Sequence, residues 1–227
     1  IPKRVYARIN LDNIKKNIQS IQSKFGDKVS VMGIVKANGY GHGAIEVAKA
    51  MNEAGVNHFG VAAIDEALEL RQNDIDSPIL ILGQIFKQDF QTAIENDITC
   101  TIVDIDTAKR LSAVAVSMDK KVKIHIKIDT GMGRIGFQPN DDGYNQVKEV
   151  FSLDGLLVEG IFTHFATLGI NDKEWDNQLE KFKEITGDIN LKEVPIVHLY
   201  KSAAFINHPK VDFANGIRLG IAMYGYY

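Results

Sequence analysis

The chain has 227 residues, of which 45% are hydrophobic and 24% are charged, and these proportions are typical of one globular domain or of two small ones. A single cysteine, Cys100, excludes an internal disulfide framework. The formal net charge of -3 comes without a long run of one sign, so neither a sequence-independent nucleic-acid surface nor an anionic-membrane surface is supported. No stretch approaches the roughly 18 apolar residues of a membrane span, and we expect a soluble, cytoplasmic protein.

Short apolar runs alternate with amphipathic stretches along the chain, and the two patterns predict strands and helices in turn. Strands are predicted near residues 29–36, 59–63, 79–82, 99–103, 122–128, 156–162, 196–199 and 216–219. Helices are predicted at residues 11–25, 44–54, 65–73, 88–96, 106–116, 143–151 and 174–185. Asn10 and Asp104 precede the first and the fifth of these helices, where their side chains are placed as N-caps.

The alternation of strand and helix, repeated about eight times, is typical of a (β/α)8 TIM-type barrel, an α/β fold. A doubly wound parallel sheet is the alternative. No linker divides the chain, so residues 1–227 are expected to form one domain. Reactive groups of such barrels stand at the C-terminal ends of strands and in the loops that follow. Those positions here hold Lys36, Asp129, Arg134, His164, Ser202 and Arg218.

The first of these positions lies in the segment Val-Lys-Ala-Asn-Gly-Tyr-Gly-His-Gly, residues 35–43. Its glycines let backbone amides approach a ligand, and the helix that follows favours a phosphate at its N-terminus. The segment lacks the G-x-G-x-x-G order of a dinucleotide fingerprint and the Gly-Lys-Ser/Thr of a P-loop. Lys36 is in phase with Met32 and Ile34, so its side chain is predicted to point into the barrel mouth, where partial desolvation suits Schiff-base chemistry.

The second segment, residues 124–136, contains Asp-Thr-Gly-Met-Gly-Arg. Its isoleucines alternate with His125, Lys127 and Asp129, which predicts one row of side chains facing the helices and another facing the barrel interior. One Asp-Thr-Gly copy does not supply the paired carboxylates of an aspartic protease. Arg134 follows a Gly-Met-Gly loop, where its guanidinium can grip a carboxylate in bidentate fashion.

Three further segments each belong to a later strand end. His164 follows the sixth strand, Ser202 begins a helix after the seventh, and Arg218 lies in the eighth. A serine hydroxyl and free amides at a helix start bind phosphate well. The six histidines show no zinc-binding spacing, so no metal site is predicted. The cationic, imidazole and hydroxyl groups together predict a site for an anionic ligand.

Together these segments resemble the alanine racemases, fold-type III enzymes that use pyridoxal 5'-phosphate (PLP) to interconvert L- and D-alanine. Five motifs stand in the family's order, and the string at residues 36–43 is the most specific of them. The resemblance implies that Lys36 carries PLP in a Schiff base and that Lys36, Arg134 and His164 are the catalytic residues. It also implies a cofactor site formed by Lys36, Tyr40, His164, Ser202, Arg218, Gly220 and Ile221.

The resemblance assigns further roles and reveals two departures. It implies that Arg134 assists substrate binding, that Arg218 faces the pyridine nitrogen of PLP, and that Lys127 stands where the family often has a carbamylated lysine. The family's His-x-Ala-Asn-Ser pattern is broken here by Tyr200 and Lys201. These departures bear on hydrogen bonding near the phosphate and on substrate preference.

The resemblance also implies an organisation larger than this chain. It predicts a cytoplasmic homodimer that supplies D-alanine for peptidoglycan, with a second base, a tyrosine, from the β-rich C-terminal domain of the partner subunit. That domain lies outside residues 1–227, so the chain is expected to bind PLP but to racemise alanine poorly alone. The alternatives are a single-domain PLP-binding homeostasis protein, a serine-preferring racemase and a non-catalytic phosphate-binding barrel.

Overall fold

A ring of parallel strands forms the centre of the molecule. A computed structural model describes residues 5–25, 29–166 and 173–226. Eight strands close into a barrel in chain order, because β1 pairs with β8 as well as with β2. They are β1 (Ser30–Ile34), β2 (His58–Val61), β3 (Ile79–Gln84), β4 (Ile98–Ile102), β5 (Val122–Ile128), β6 (Leu156–Thr163), β7 (Ile196–Lys201) and β8 (Gly216–Leu219). The predicted (β/α)8 barrel is confirmed, and the doubly wound alternative is wrong because the sheet has no open edge.

Helices follow the strands around the outside of the ring. They are α1 (Leu11–Phe25), α2 (Lys36–Tyr40), α3 (Ala44–Glu53), α4 (Ile64–Gln72), α5 (Phe90–Glu95), α6 (Ile105–Ser117), α7 (Asp141–Val150), α8 (Lys173–Ile185) and α9 (Ser202–Asn207). Both predicted caps are confirmed, since the Asn13 amide donates to Asn10 Oδ1 at 3.1 Å and the Thr107 amide to Asp104 Oδ1 at 2.7 Å. No helix in the described part of the chain is long and apolar enough to cross a membrane.

Several predicted boundaries differ from the structure by one or more residues, and two of these differences have a clear local cause. The first strand was expected to reach residue 36 but ends at Ile34, because the backbone reverses its hand directly after Lys36. The helix expected at residues 88–96 is divided into a short 3-10 turn, Lys87–Asp89, and the α5 helix. Such differences at element ends arise from local geometry that periodicity does not encode.

The strands separate two buried layers. Ile124, Ile126 and Ile128 of β5 are fully buried against the helices, whereas His125 and Lys127 are equally buried inside the ring. The alternation predicted for this segment is therefore confirmed. The outer layer is a continuous apolar core, and the inner layer carries the ionisable groups that reach the barrel mouth.

Candidate active site

A cavity of about 510 Å³ opens at the C-terminal end of the barrel. Nine residues were assigned to a site or a modification by the family resemblance, and all of them line this cavity: Lys36, Tyr40, Lys127, Arg134, His164, Ser202, Arg218, Gly220 and Ile221. Five further residues complete the wall: Ile34, Leu82, Phe162, Lys201 and Tyr226. The structure thus brings the five separated segments to one place, as expected for the carboxyl end of a barrel.

Lys36 enters the cavity from an unusual turn. The next residues, Ala37, Asn38, Gly39 and Tyr40, have φ values of 51°, 52°, 60° and 53°, so the chain makes one left-handed turn. Each non-glycine residue in this conformation costs about 1–2 kcal/mol. Hydrogen bonds offset part of that cost, because Asn38 Oδ1 accepts from the Ala44 amide at 2.8 Å and the Gly41 amide donates to Ala37 O at 3.0 Å.

A group of hydroxyls and amides forms one corner of the cavity. The Gly220 amide donates to Ser202 Oγ at 3.1 Å. A Cβ atom on Gly220 would lie 3.2 Å from Tyr40 Oη, so a side chain there would crowd the corner. Burial raises the pKa of Tyr40, which keeps its hydroxyl protonated as a donor. Ser202 is the first residue of α9, as predicted, and its own hydroxyl hydrogen can donate to a phosphate oxygen.

Lys127 is a lysine inside the barrel. Its Nζ donates to Ile135 O at 2.8 Å and lies 5.8 Å from the centre of the Phe162 ring. Burial, with the nearby positive charges of Arg134 and Arg218, lowers the pKa of Lys127 to about 8, although Asp129 opposes the shift. A fraction of the Lys127 amine is therefore unprotonated near neutral pH.

Asp129 organises the loop that carries Arg134. Its carboxylate accepts hydrogen bonds from the Gly131, Gly133 and Arg134 amides at 3.2, 3.0 and 2.7 Å. Burial disfavours the charge, but these three donors hold the pKa of Asp129 below its ordinary value. Asp129 does not line the cavity; it fixes the loop from which the exposed Arg134 side chain reaches the cavity.

Arg218 is buried and tied to a chain of side chains. Its Nη1 lies 2.8 Å from His198 Nδ1, and its Nη2 donates to Thr163 O at 2.8 Å. His198 Nε2 lies 2.8 Å from His125 Nδ1, and His125 Nε2 lies 3.5 Å from Glu159 Oε2. Burial, and then Arg218, lower the pKa of His198, so its ring is neutral.

This chain of contacts fixes the tautomers. A guanidinium only donates, so the neutral His198 must accept at Nδ1 and carry its proton on Nε2. That proton is donated to His125 Nδ1, which places the His125 proton on Nε2, facing Glu159. Gly160 makes room for the pair, because a Cβ there would lie 2.5 Å from His125 Nδ1. Neither His198 nor Glu159 was predicted to have a role in the site; their inward positions on β7 and β6 were the available signal.

His164 and Lys201 are two further side chains in the wall of the cavity. Burial, followed by the charges of Arg218 and Lys201, lowers the pKa of His164 to about 2, so this ring is neutral. Lys201 Nζ donates to Phe165 O at 3.0 Å. The other departure from the family pattern, Tyr200, points elsewhere: its hydroxyl donates to Pro209 O at 2.8 Å and does not line the cavity.

The cavity wall has an unbalanced charge. Five lysine and arginine side chains line it, and no carboxylate does so among the described residues. Such a wall creates a positive potential that favours anionic groups on a ligand. The fold and the site together define a (β/α)8 barrel with a cationic cavity and an amine, that of Lys36, at the strand ends.

Comparisons with known proteins identify the family. A family model described as alanine racemase, N-terminal domain, matches residues 9–227, and the chain belongs to this family. Alanine racemases of Clostridium perfringens (strain SM101 / Type A) and Methanococcus maripaludis are 42% and 41% identical over 98% of this chain. The chain covers 58% and 60% of these relatives, so it spans about three fifths of their length.

Solved structures show the same relationship. The alanine racemase of Clostridium difficile 630 superposes with a TM-score of 0.94 at 38% identity, over 100% of this chain and 60% of that one. A histidine racemase from Leuconostoc mesenteroides superposes with a TM-score of 0.84 at 28% identity, over 95% of this chain and 57% of that one. The barrel is therefore shared by racemases that are named for different amino acids.

Proposed function

We propose that this chain is the PLP-binding barrel of a cytoplasmic, homodimeric amino-acid racemase that interconverts L- and D-alanine and supplies D-alanine for peptidoglycan. The observation that carries the proposal is that Lys36 and the cationic wall share one cavity. The similarity to proteins named alanine racemase, one of them solved in complex with cycloserine, supports alanine as the substrate.

The residues present fit PLP. A cofactor with a phosphate, a ring nitrogen and an aldehyde needs an anion-binding corner, a polar group facing the ring and an amine. The corner formed by Tyr40, Ser202 and Gly220, with the nearby Ile221 amide, suits the phosphate. Arg218 suits the ring nitrogen, and Lys36 would hold the aldehyde carbon covalently. When bound, PLP would supply an electron sink that makes the α-proton of an amino acid removable.

Arg218 determines which reaction this sink favours. Its guanidinium donates to a neutral His198 and to Thr163 O, and it keeps its own protons. A ring nitrogen that faces such a donor is not protonated, which makes the cofactor a weaker sink than one that faces a carboxylate. We infer that this limits the chemistry to removal and return of one proton and disfavours amino-group transfer.

Lys36 would move the α-proton on one face of the substrate, and Arg134 would bind the substrate carboxylate. The resemblance assigns the base for the opposite face to a tyrosine of the second subunit, so the proposal includes a homodimer. His164, neutral and half-buried in the wall, would pack on the ring without adding a charge.

Lys127 is proposed to be carbamylated. Its neutral amine would attack CO₂, forming an N–C bond and releasing one proton, which changes a buried cation into an anion beside Arg134. The lowered pKa supports this reaction because the unprotonated amine is the nucleophile. Intact mass in bicarbonate should show one added CO₂ that is absent from Lys127→Met; an unmodified wild-type mass would contradict the proposal.

The central experiment tests Lys36. The wild-type chain should bind PLP with a new visible absorption band, and borohydride should fix PLP to Lys36 in a peptide map. Lys36→Ala should lose both signals, while Lys49→Ala, an exposed lysine on α3, should keep them. Unchanged labelling of Lys36→Ala would refute the assignment. Rates for the intact protein with alanine and with serine would then decide the substrate preference.

A further inference from the structure

A carboxylate outside the cavity joins two strand ends beside Lys36. Glu66 lies in the first turn of α4, and its Oε1 accepts a hydrogen bond from the Ala37 amide at 2.7 Å. Its Oε2 accepts from the Ala62 amide at 2.6 Å. Ala37 directly follows Lys36, and Ala62 directly follows β2, so one side chain links the ends of β1 and β2.

The Ala37 amide is the point at which the backbone changes hand. Val35 has φ and ψ of -116° and 12°, whereas Ala37 has 51° and 50° and begins the left-handed turn. An alanine has no intrinsic preference for this conformation, so surrounding contacts must hold it there. Ala37 itself is exposed, which leaves hydrogen bonding rather than side-chain packing to fix its peptide.

We infer that Glu66 is a positioning residue for Lys36. By holding the Lys36–Ala37 peptide against the end of β2, it keeps the turn in the left-handed conformation and keeps the Lys36 amine directed into the cavity. This inference rests on the proposed function of Lys36 as the residue that holds PLP. It concerns the direction of the lysine, not any contact between Glu66 and a ligand.

The chemistry of the side chain matches this role. Two converging N–H groups need two acceptor atoms, and a carboxylate provides both. Glutamine has the same shape but only one acceptor, and its amide NH₂ would face one of the two N–H donors. Glu66→Gln therefore removes the bridge while changing the volume very little.

A simpler role must be separated from this one. The N-cap residue of α4, Ala63, makes no side-chain capping hydrogen bond. The alternative is that Glu66 stabilises the start of that helix and has no effect on the direction of Lys36. Ala63 has extended φ and ψ of -144° and 169°, the geometry of a serine N-cap. Ala63→Ser therefore offers a replacement cap that leaves the Ala37 amide without its acceptor.

The experiment compares Glu66→Gln, the double variant Ala63→Ser/Glu66→Gln, and Glu69→Gln as a control. Glu69 is an exposed residue of the same helix, and its carboxylate has no hydrogen bond to another described residue. Hydrogen exchange at the Ala37 amide is measured without PLP. Borohydride labelling of Lys36 and the Kd for PLP are then measured with it.

We expect exchange at Ala37 to accelerate about tenfold or more in Glu66→Gln, with PLP binding weakened by a similar factor. Glu69→Gln should match wild type in both. The double variant should recover thermal stability but neither Ala37 protection nor PLP affinity. If the folded Glu66→Gln or the double variant labels and binds PLP as Glu69→Gln does, the inference is wrong.

Failure of the two proposals can be told apart. If wild type is not labelled at Lys36, the proposed function fails, whereas exchange at Ala37 still reports whether Glu66 holds the turn. If wild type is labelled and Glu66→Gln changes neither Ala37 exchange nor labelling, Glu66 has no positioning role. The double variant covers the case in which Glu66→Gln alone is too unstable to study.

Discussion

The two sides of β5 are equally buried but chemically opposite. Ile124, Ile126 and Ile128 face the helices, and His125 and Lys127 face the barrel axis, all with at most 1% exposure. The outer row gains stability from removing apolar surface from water. The inner row loses hydration of ionisable groups and recovers only part of that loss through hydrogen bonds. Burial therefore stabilises the fold through the outer row. In the inner row it lowers the pKa of Lys127, which lines the cavity.

The same division extends to the next three strands. Inside the ring of strands, Phe162 stacks against His198 with 4.4 Å between ring centres, and Arg218 Cζ lies 5.2 Å from the centre of the Phe162 ring. The interior residues of β1 and β3 are instead apolar. Met32, Ile34 and Leu80 form a buried cluster there. The ionisable interior is thus concentrated on β5 to β8, the half of the barrel that carries Arg134, His164 and Ser202.

The largest expected effect concerns the outer row. Ile126→Ala should lower the free energy of unfolding by about 3 kcal/mol, because it leaves a cavity in a fully buried layer. Denaturant titration measures the loss. PLP labelling of Lys36 should remain normal under conditions where the variant is folded. A loss below about 1 kcal/mol, or a folded variant that no longer labels, would contradict the division between the two rows.

The inner row should respond in the opposite direction. Lys127→Met should raise the free energy of unfolding at pH 7 by about 2 kcal/mol in CO₂-free buffer, because it removes a buried ammonium. The loss of the donor to Ile135 O offsets part of this gain. Lys121→Met, an exposed lysine just before β5, is the matched control and should change stability little.

The pH dependence of the Lys127 effect follows from its lowered pKa. The folded pKa of about 8 lies below the ordinary 10.5, so the cost of burying the ammonium is fully present below pH 8. Between pH 8 and 10.5 the unfolded chain binds more protons, and wild type gains stability relative to Lys127→Met. Urea titrations across this range should show the gap closing; a gap that stays constant would mean the amine is not desolvated.

The sequence predicted much of this arrangement because periodicity reports which residues share one side of a strand. The alternation in residues 124–129 placed the isoleucines outside and Lys127 inside, and strand ends brought nine residues to one cavity. The left-handed turn after Lys36 was not predictable from propensity, since Gly39 and Asn38 tolerate this conformation but Ala37 and Tyr40 do not favour it.

The tautomer chain from Glu159 to Arg218 was also missed. It depends on how neighbouring strands pair, and that pairing shifts between Ile124 and His125 and again between His198 and Tyr200. One-strand patterns do not encode such shifts. Residues that act across strands are therefore the part of the site that required a structure.

The smallest expected effect concerns Asp129, at the end of the inner row. Asp129→Asn should lower the free energy of unfolding by about 1 kcal/mol at pH 7, because the amide group keeps only one acceptor for the three loop N–H donors. Because the folded pKa of Asp129 is lowered, this contribution is present above its ordinary pKa of 3.8 and is lost as the pH falls through the folded value. The difference between wild type and Asp129→Asn should therefore be constant near neutrality and shrink below about pH 4.

Asp154→Asn, which changes an exposed carboxylate before β6, should show no such change. If both variants follow the same pH profile, the loop that carries Arg134 is held by its backbone alone, and the inner row would end at Lys127.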